Sequence, residues 1–337
     1  MGSTWGMQGP TTWSELEARL SGRKPQSSTQ SSSPAAVRPV VVPEPDRTPT
    51  GGTPRPVVPY AELHCHSNFS FLDGASHPEE LAEEAHRLGL TALAVTDHNG
   101  LYGVVRFAEA ARVVGLPTVF GSEITVQSPA GPQHLVVLAD GTAGYARLAR
   151  ALSLAQLAGS KGDPRCTMPD LADVGAGHWW VMTGCRQGAV PSALVDHGPS
   201  AALRELQKLI TAFGRDRVLV ELWDHGDPLD TARNDAMAEL AARADVQCIA
   251  TNNVHYATPS ARRLATAIAA VNQRCSLDEI DHCLPAAATA HLRSGAEQAR
   301  RFARYPGVVD LAAEIGRAAA FDLSLVAPKL PPYPCPD

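Results

Sequence analysis

From Tyr60 onward, short apolar runs rich in β-branched residues alternate with longer stretches whose apolar positions recur at helical spacing. The predicted strands are Tyr60–Leu63, Ala92–Val95, Thr118–Thr125, His134–Ala139, Trp179–Thr183, Arg217–Leu222 and Gln247–Thr251. A first helix opens at a capping box, Ser76 with Glu79, carries Pro78 in its first turn and stops at Gly89. Leu101–Val114 is apolar at helical spacing and stops at Gly115. Helices over Ala143–Leu157, Ser200–Phe213, Leu229–Ala244 and Ala261–Gln273 follow. Strand and helix in repetition predict an α/β fold with a parallel sheet, and this many units in series a closed or nearly closed barrel. An open doubly wound sheet is the alternative. It usually carries a Gly-rich phosphate turn after its first strand, and here that place reads His64-Cys65-His66-Ser67.

The pattern is absent on either side of this region. Residues 1–58 are mostly Ser, Thr, Pro, Gly and Arg, a composition that buries too little apolar surface to offset the cost of ordering. A disordered tail is expected, with one short helix near 12–20. There Thr12 and Glu15 form a capping box, and Trp13, Leu16 and Leu20 share a face. The barrel is expected over 59–285. Beyond it, Ser294–Glu297 opens a capped helix, Gly307–Phe321 reads as another, and Ala327–Asp337 is an extended Pro-rich strap. Segment 286–337 is therefore read as a connector to something longer.

Composition narrows the function. The chain of 337 residues is 44% hydrophobic and 19% charged, as expected of a soluble protein. It shows neither a membrane-span pattern nor a secretory signal. Its seven cysteines lack a disulfide spacing framework, which fits a reducing cytoplasm. The net charge of −6 is a poor electrostatic footprint for gripping nucleic acid unaided. All twelve histidines follow residue 60, which points to a metal-rich domain.

The candidate chemistry collects at strand ends. His64 and His66 lie two apart on an extended backbone, so both imidazoles point to one side, and Asp73 follows in the next turn. Asp97-His98 ends the second strand, Glu123 the third, Cys185 follows the fifth, and Asn253 and His255 end the seventh. In a parallel barrel these positions share one rim. His134 starts its strand, so it joins them only if strands three and four form a hairpin. A mixed N, O and S donor set suits Zn²⁺, with Mn²⁺ or Fe²⁺ as alternatives, and exceeds one ion's needs. Two or three clustered ions suit phosphoester hydrolysis. Asp73, His98 and Glu123 are the candidate catalytic groups, the two carboxylates neutralising or bridging the ions. His225 is read as supporting its loop. Trp179-Trp180 is read as core rather than as a base-stacking platform.

Taken together, His64-Cys65-His66, Thr96-Asp97-His98, Gly121-Ser122-Glu123, His134-Leu135-Val136, Gly184-Cys185 and Ala250–Tyr256 resemble the motifs of the polymerase and histidinol phosphatase (PHP) domain. The version with Phe69–Gly74 is similar to the one in bacterial C-family DNA polymerases, the DNA polymerase III alpha type. The lead-in from Thr12 resembles the error-prone branch. The resemblance implies a distorted seven-stranded (β/α)7 barrel with a metal cluster in its mouth. The connector would lead into a polymerase core, and the whole protein would be a DNA-directed DNA polymerase in damage-tolerant synthesis and repair. DNA, a sliding clamp and a Y-family-like mutagenesis partner are the implied partners. One position departs: the family's last motif usually has Asp where this chain has Asn253, a weaker and uncharged ligand. The resemblance thus implies a phosphoesterase or 3′-exonuclease site weakened at that position. The alternatives are a free-standing histidinol-phosphate-type phosphatase and a purely structural brace.

Overall fold

The computed structural model describes residues 57–129, 131–280, 284 and 289–325. The expected helix near 12–20 and the Pro-rich end lie outside them. The strands are β1 (Ala61–Glu62), β2 (Ala92–Val95), β3 (Thr118–Ser128), β4 (Gly131–Ala139), β5 (Trp179–Met182), β6 (Val218–Leu222) and β7 (Gln247–Ala250). They form one sheet in sequence order, β1 through β7. The helices, in chain order, are α1 (Pro78–Arg87), α2 (Val104–Val114), α3 (Gly141–Ala158), α4 (Met168–Gly175) and α5 (Ala189–His197). They continue with α6 (Pro199–Phe213), α7 (Asp230–Ala244), α8 (Arg262–Gln273), α9 (Gly295–Arg301) and α10 (Val308–Ala319).

The sheet is mixed: the expected parallel pattern holds except at β4, where strands three and four form the hairpin left open above. Strands β1–β3 run parallel, β4 is antiparallel to both its neighbours, and β5–β7 are parallel again. The reason is local. No helix intervenes between β3 and β4, so the chain returns on itself at Gly131, whose φ of 108° suits a glycine turn. Two short helices, α4 and α5, were not predicted. The first is opened by a capping box of Thr167 with Asp170. The cap of α1 also lies one residue later than expected. His77 is the N-cap and its N–H donates to Glu80 at 2.8 Å, while Ser76 Oγ accepts from the Ala257 N–H.

Closure comes from a single parallel bridge between Cys65 and Val254. His66 N–H donates to the Val254 carbonyl, and Val254 N–H to that of His64, both at 2.8 Å. The outside of this seam is covered by α10, which packs on β1, β2 and β7. Gly316 allows that approach: a Cβ there would sit 2.4 Å from the Ala61 Cβ. Burial along β1, β2 and β6 is unbroken, as a strand covered on both faces requires. Trp179 is core, with Nε1–H donating to the Gly144 carbonyl, and Trp180 is half-buried beneath Arg217.

Gly316→Val should therefore lower stability by about 1–3 kcal/mol, the scale of overpacking. Ala318→Val, on the exposed face of the same helix, should not. Thermal unfolding followed by circular dichroism reads the difference.

Candidate metal centre

The first strand delivers its imidazoles as the period of two requires. His64 and His66 point inward together, their Nε2 atoms 3.2 Å apart, while Cys65 faces the core. Neighbouring groups set the tautomers. His64 Nδ1 lies 2.6 Å from Glu221 Oε1, and a carboxylate accepts, so the proton sits on Nδ1. Ser70 Oγ donates to Asp97 and so accepts from His66 Nδ1–H, at 3.2 Å. Both Nε2 lone pairs are then aimed at one another inside a fully buried space.

Two lone pairs at that distance need a cation between or beside them. Glu221 and Glu123 carry the His64 pKa well above the usual imidazole value, although burial opposes it. Burial pushes His66 well below, with positive His98 adding to it. A proton on His64 is one way of satisfying the pair, and a metal ion is the other.

Glu123 stands at the middle of the cluster. Its Oε1 is 3.6 Å from His64, 3.2 Å from His134 and 3.4 Å from Cys185 Sγ. Its Oε2 is 3.4 Å from His66 and 3.3 Å from His98. Asp73 plays a similar part nearer the surface, with Oδ2 3.1 Å from His98 and Oδ1 3.1 Å from His255. Burial opposes ionisation of both carboxylates, but the surrounding imidazoles hold them well below the usual carboxylate range. Burial pushes the Cys185 thiol up, and Glu123 adds to the shift. Three donor groups could each hold an ion: His64, His66 and Glu123; His66, Asp73 and His98; His98, Glu123 and His134. They share members, so the positions are adjacent.

The hairpin condition for His134 is met. It pairs with Thr125 on β3 and comes within 3.8 Å of Cys185. Asn253 lies in the same loop as His255, in left-handed conformation at φ 42°, with its Oδ1 buried and lacking a hydrogen-bond partner. The imidazole and carboxylate donors of the three groups above lie within 4.8 Å of one another in each group, so the donor set fits a metal cluster. His225 sits on its loop with Nε2 2.5 Å from the Asn252 carbonyl, and burial pushes its pKa down to about 3.

Sequence reasoning missed two buried carboxylates, Glu221 and Glu62, and named Asp97 without giving it a role. Glu221 orients His64 and also accepts from the Thr251 hydroxyl, and its other oxygen is buried without a partner. Glu62, pushed up to about 7 by burial, accepts from Tyr60 OH and the N–H groups of His64 and Asn252. Asp97 accepts from Ser67 and Ser70 and so shapes the loop that carries Asp73. The available signal was an acidic residue inside an apolar strand, as in Val218–Leu222, where charge is otherwise too costly to bury.

A curled α/β barrel whose rim gathers imidazoles, carboxylates and one thiol defines the class, and the comparisons agree with it. Residues 62–225 match the PHP domain model, and this stretch of the chain is a PHP domain. It is 50% identical over 340 residues to an error-prone DNA polymerase of Mycolicibacterium paratuberculosis, which covers 98% of this chain and 31% of that protein. The corresponding protein of Cutibacterium acnes is 49% identical over 339 residues, covering 97% of this chain and 30% of its own. The chain thus spans about a third of the length of these relatives. Among solved structures, an amidohydrolase of Chromobacterium violaceum aligns with TM-score 0.44 and 20% identity, over 58% of this chain and 88% of that one. No helix among the described residues is long and apolar enough to cross a membrane.

Two outcomes follow for metal binding. Because His64 must lose a proton to donate through Nε2, apparent Zn²⁺ affinity should fall as pH falls, with protons released on binding. Calorimetry in two buffers of different ionisation enthalpy measures that release, and a count of zero would contradict it. Glu221→Gln should weaken Zn²⁺ binding roughly 10–100-fold, the usual effect of losing a hydrogen-bonded partner behind a ligand, while leaving the circular dichroism spectrum unchanged.

Proposed function

We propose that this PHP domain is a metal-dependent phosphoesterase acting on 3′ ends of DNA, within a longer error-prone polymerase used in damage-tolerant synthesis. The observation that supports it is the position of Glu123. Each of its oxygens faces a different set of imidazoles, the arrangement of a carboxylate bridging two adjacent cations. The nitrogen-rich set with Cys185 favours Zn²⁺, with Mn²⁺ or Fe²⁺ as alternatives. Such ions would supply charge for the phosphate oxygens and an activated water.

The chain's own groups divide into floor and rim. His64 and His66 have fully buried side chains and anchor the floor. His98, His255 and Asp73 are exposed to 27, 24 and 31%, so a phosphodiester would reach the site from their side. Asp73 holds the two rim imidazoles in place through one oxygen each. His98 stands between the two carboxylates, 3.1 Å from Asp73 and 3.3 Å from Glu123, where its imidazole would hold an ion on the open side of the site. Asn253 offers an amide oxygen where a carboxylate would bind more tightly, and on this reading it weakens the cluster.

The same reading makes 286–337 the connector towards a polymerase core, and leaves the sliding clamp and a Y-family-like partner to surfaces of the longer protein. A brace without chemistry is the competing reading. The buried chain of hydrogen bonds from Glu62 through Tyr60 and Gln298 favours it, because α9 is thereby tied to the floor of the site.

Hydrolysis of bis-p-nitrophenyl phosphate and of 3′-labelled single-stranded DNA, with Zn²⁺, Mn²⁺ or Fe²⁺ against a chelator control, tests the proposal. Glu123→Gln should reduce the rate at least ~100-fold, the scale of removing a charge-stabilising group at a reacting centre. Asn253→Asp should bind metal more tightly and cleave faster. If neither form cleaves or binds metal, the brace reading stands.

A further inference from the structure

Phe71 and Tyr102 are the exposed aromatic side chains among the described residues, at 85 and 63%. Both belong to loops that carry groups of the metal centre. The Tyr102 ring lies back over its own loop, where a Cβ on Gly100 would meet it at 2.1 Å. Phe71 is different. It is presented to solvent two residues before Asp73, and successive Cα atoms about 3.8 Å apart keep its Cα within roughly 7.6 Å of that residue.

The loop beneath it is pinned throughout. Ser67 and Ser70 donate to Asp97, and the N–H groups of Asp73 and Gly74 both donate to the Ser70 carbonyl. Asn68 N–H donates to Ser76 O, and a Cβ on Gly74 would stand 2.0 Å from Ser67 O. The neighbouring Leu72 is held at φ 63°, a conformation that non-glycine residues keep only where their surroundings impose it. The backbone that presents an exposed phenyl ring is thus fixed beside a candidate metal centre, while Phe69, two positions earlier, is half-buried under Arg106. Packing explains Phe69 and does not explain Phe71.

Charge does not supply the missing grip on a polyanion. The chain carries a net −6, and Arg186, beside Cys185, is already paired with Asp227 at 3.1 Å. Stacking requires no net charge and accepts any base.

Resting on the phosphoesterase reading, we propose that Phe71 is the platform on which the 3′-terminal base of a single strand stacks, placing its phosphodiester at the Asp73, His98 and His255 rim. The class of substrate would be an unpaired, base-bearing nucleic-acid end, because such a terminal nucleotide can turn towards the rim without the cost of unpairing.

A 3′-terminal 2-aminopurine oligonucleotide, titrated with the protein in the presence of Zn²⁺ and separately of chelator, reads the stacking directly by fluorescence quenching. Phe71→Ala should raise the Kd for this strand about 5- to 100-fold, the range of one base–aromatic stack, and abolish the quenching. Phe71→Trp should restore the affinity. An abasic 3′ terminus should bind wild type and Phe71→Ala alike. Equal Kd values for wild type and Phe71→Ala on the base-bearing strand, or a wild type indifferent to loss of the base, would overturn the proposal. Wild-type turnover of bis-p-nitrophenyl phosphate reports on the phosphoesterase reading alone, so the two can fail separately.

Discussion

Much of this structure follows from two imidazole nitrogens held 3.2 Å apart with their lone pairs facing. Neither ring can turn away. Glu221 holds the far side of one, and Ser70, itself fixed by Asp97, holds the far side of the other. Such an arrangement is unfavourable without positive charge, and the surrounding carboxylates keep positive charge available. The floor of the barrel is therefore built around an electrostatic need. The buried acids Glu62, Glu221 and Asp97 stabilise the ligand groups rather than compete with them.

The sequence showed the ligands more clearly than their supports. Histidines at strand ends are rare enough to attract notice, and the spacing of His64 and His66 already put both rings on one side. His134, expected at the start of its strand, lies inside β4, which begins at Gly131, and it reaches Glu123 because β3 and β4 form a hairpin. Two of the acids behind the ligands, Glu62 and Glu221, were not found. A glutamate such as Glu221 gives no pattern of its own, and its partner His64 is 157 residues away in the chain. The fold shows a similar limit. Long periodic helices were read to within a few residues, whereas α4 and α5 are short. The direction of β4 depended on the absence of a crossover rather than on any residue in the strand.

The segment after β7 shows how local rules give way to tertiary ones. Ala290, in a stretch with no regular structure, accepts from the N–H groups of His255 and Tyr256, and Leu292 donates to Ala257. Asn252 donates through its amide to the carbonyls of Thr289 and His291. The loop bearing Asn253 and His255 is thus framed by chain that lies beyond the residues matched by the family model. Backbone hydrogen bonding alone would not predict this from composition, because any residues could make those bonds. Side chains add to the frame, with Arg293 donating to the carbonyls of Asp224 and Thr289.

The single bridge between Cys65 and Val254 also has a bearing on biosynthesis. Groups on both sides of that seam belong to one cluster, so a nascent chain displaying only its first strand exposes a bare pair of histidines with neither Glu221 nor His255 in reach. Contacts so distant in sequence form late and slowly. The three candidate donor groups all fall within residues 64–134, so those side chains can meet before Glu221 and His255 are made, and closure of the seam adds the groups that orient them.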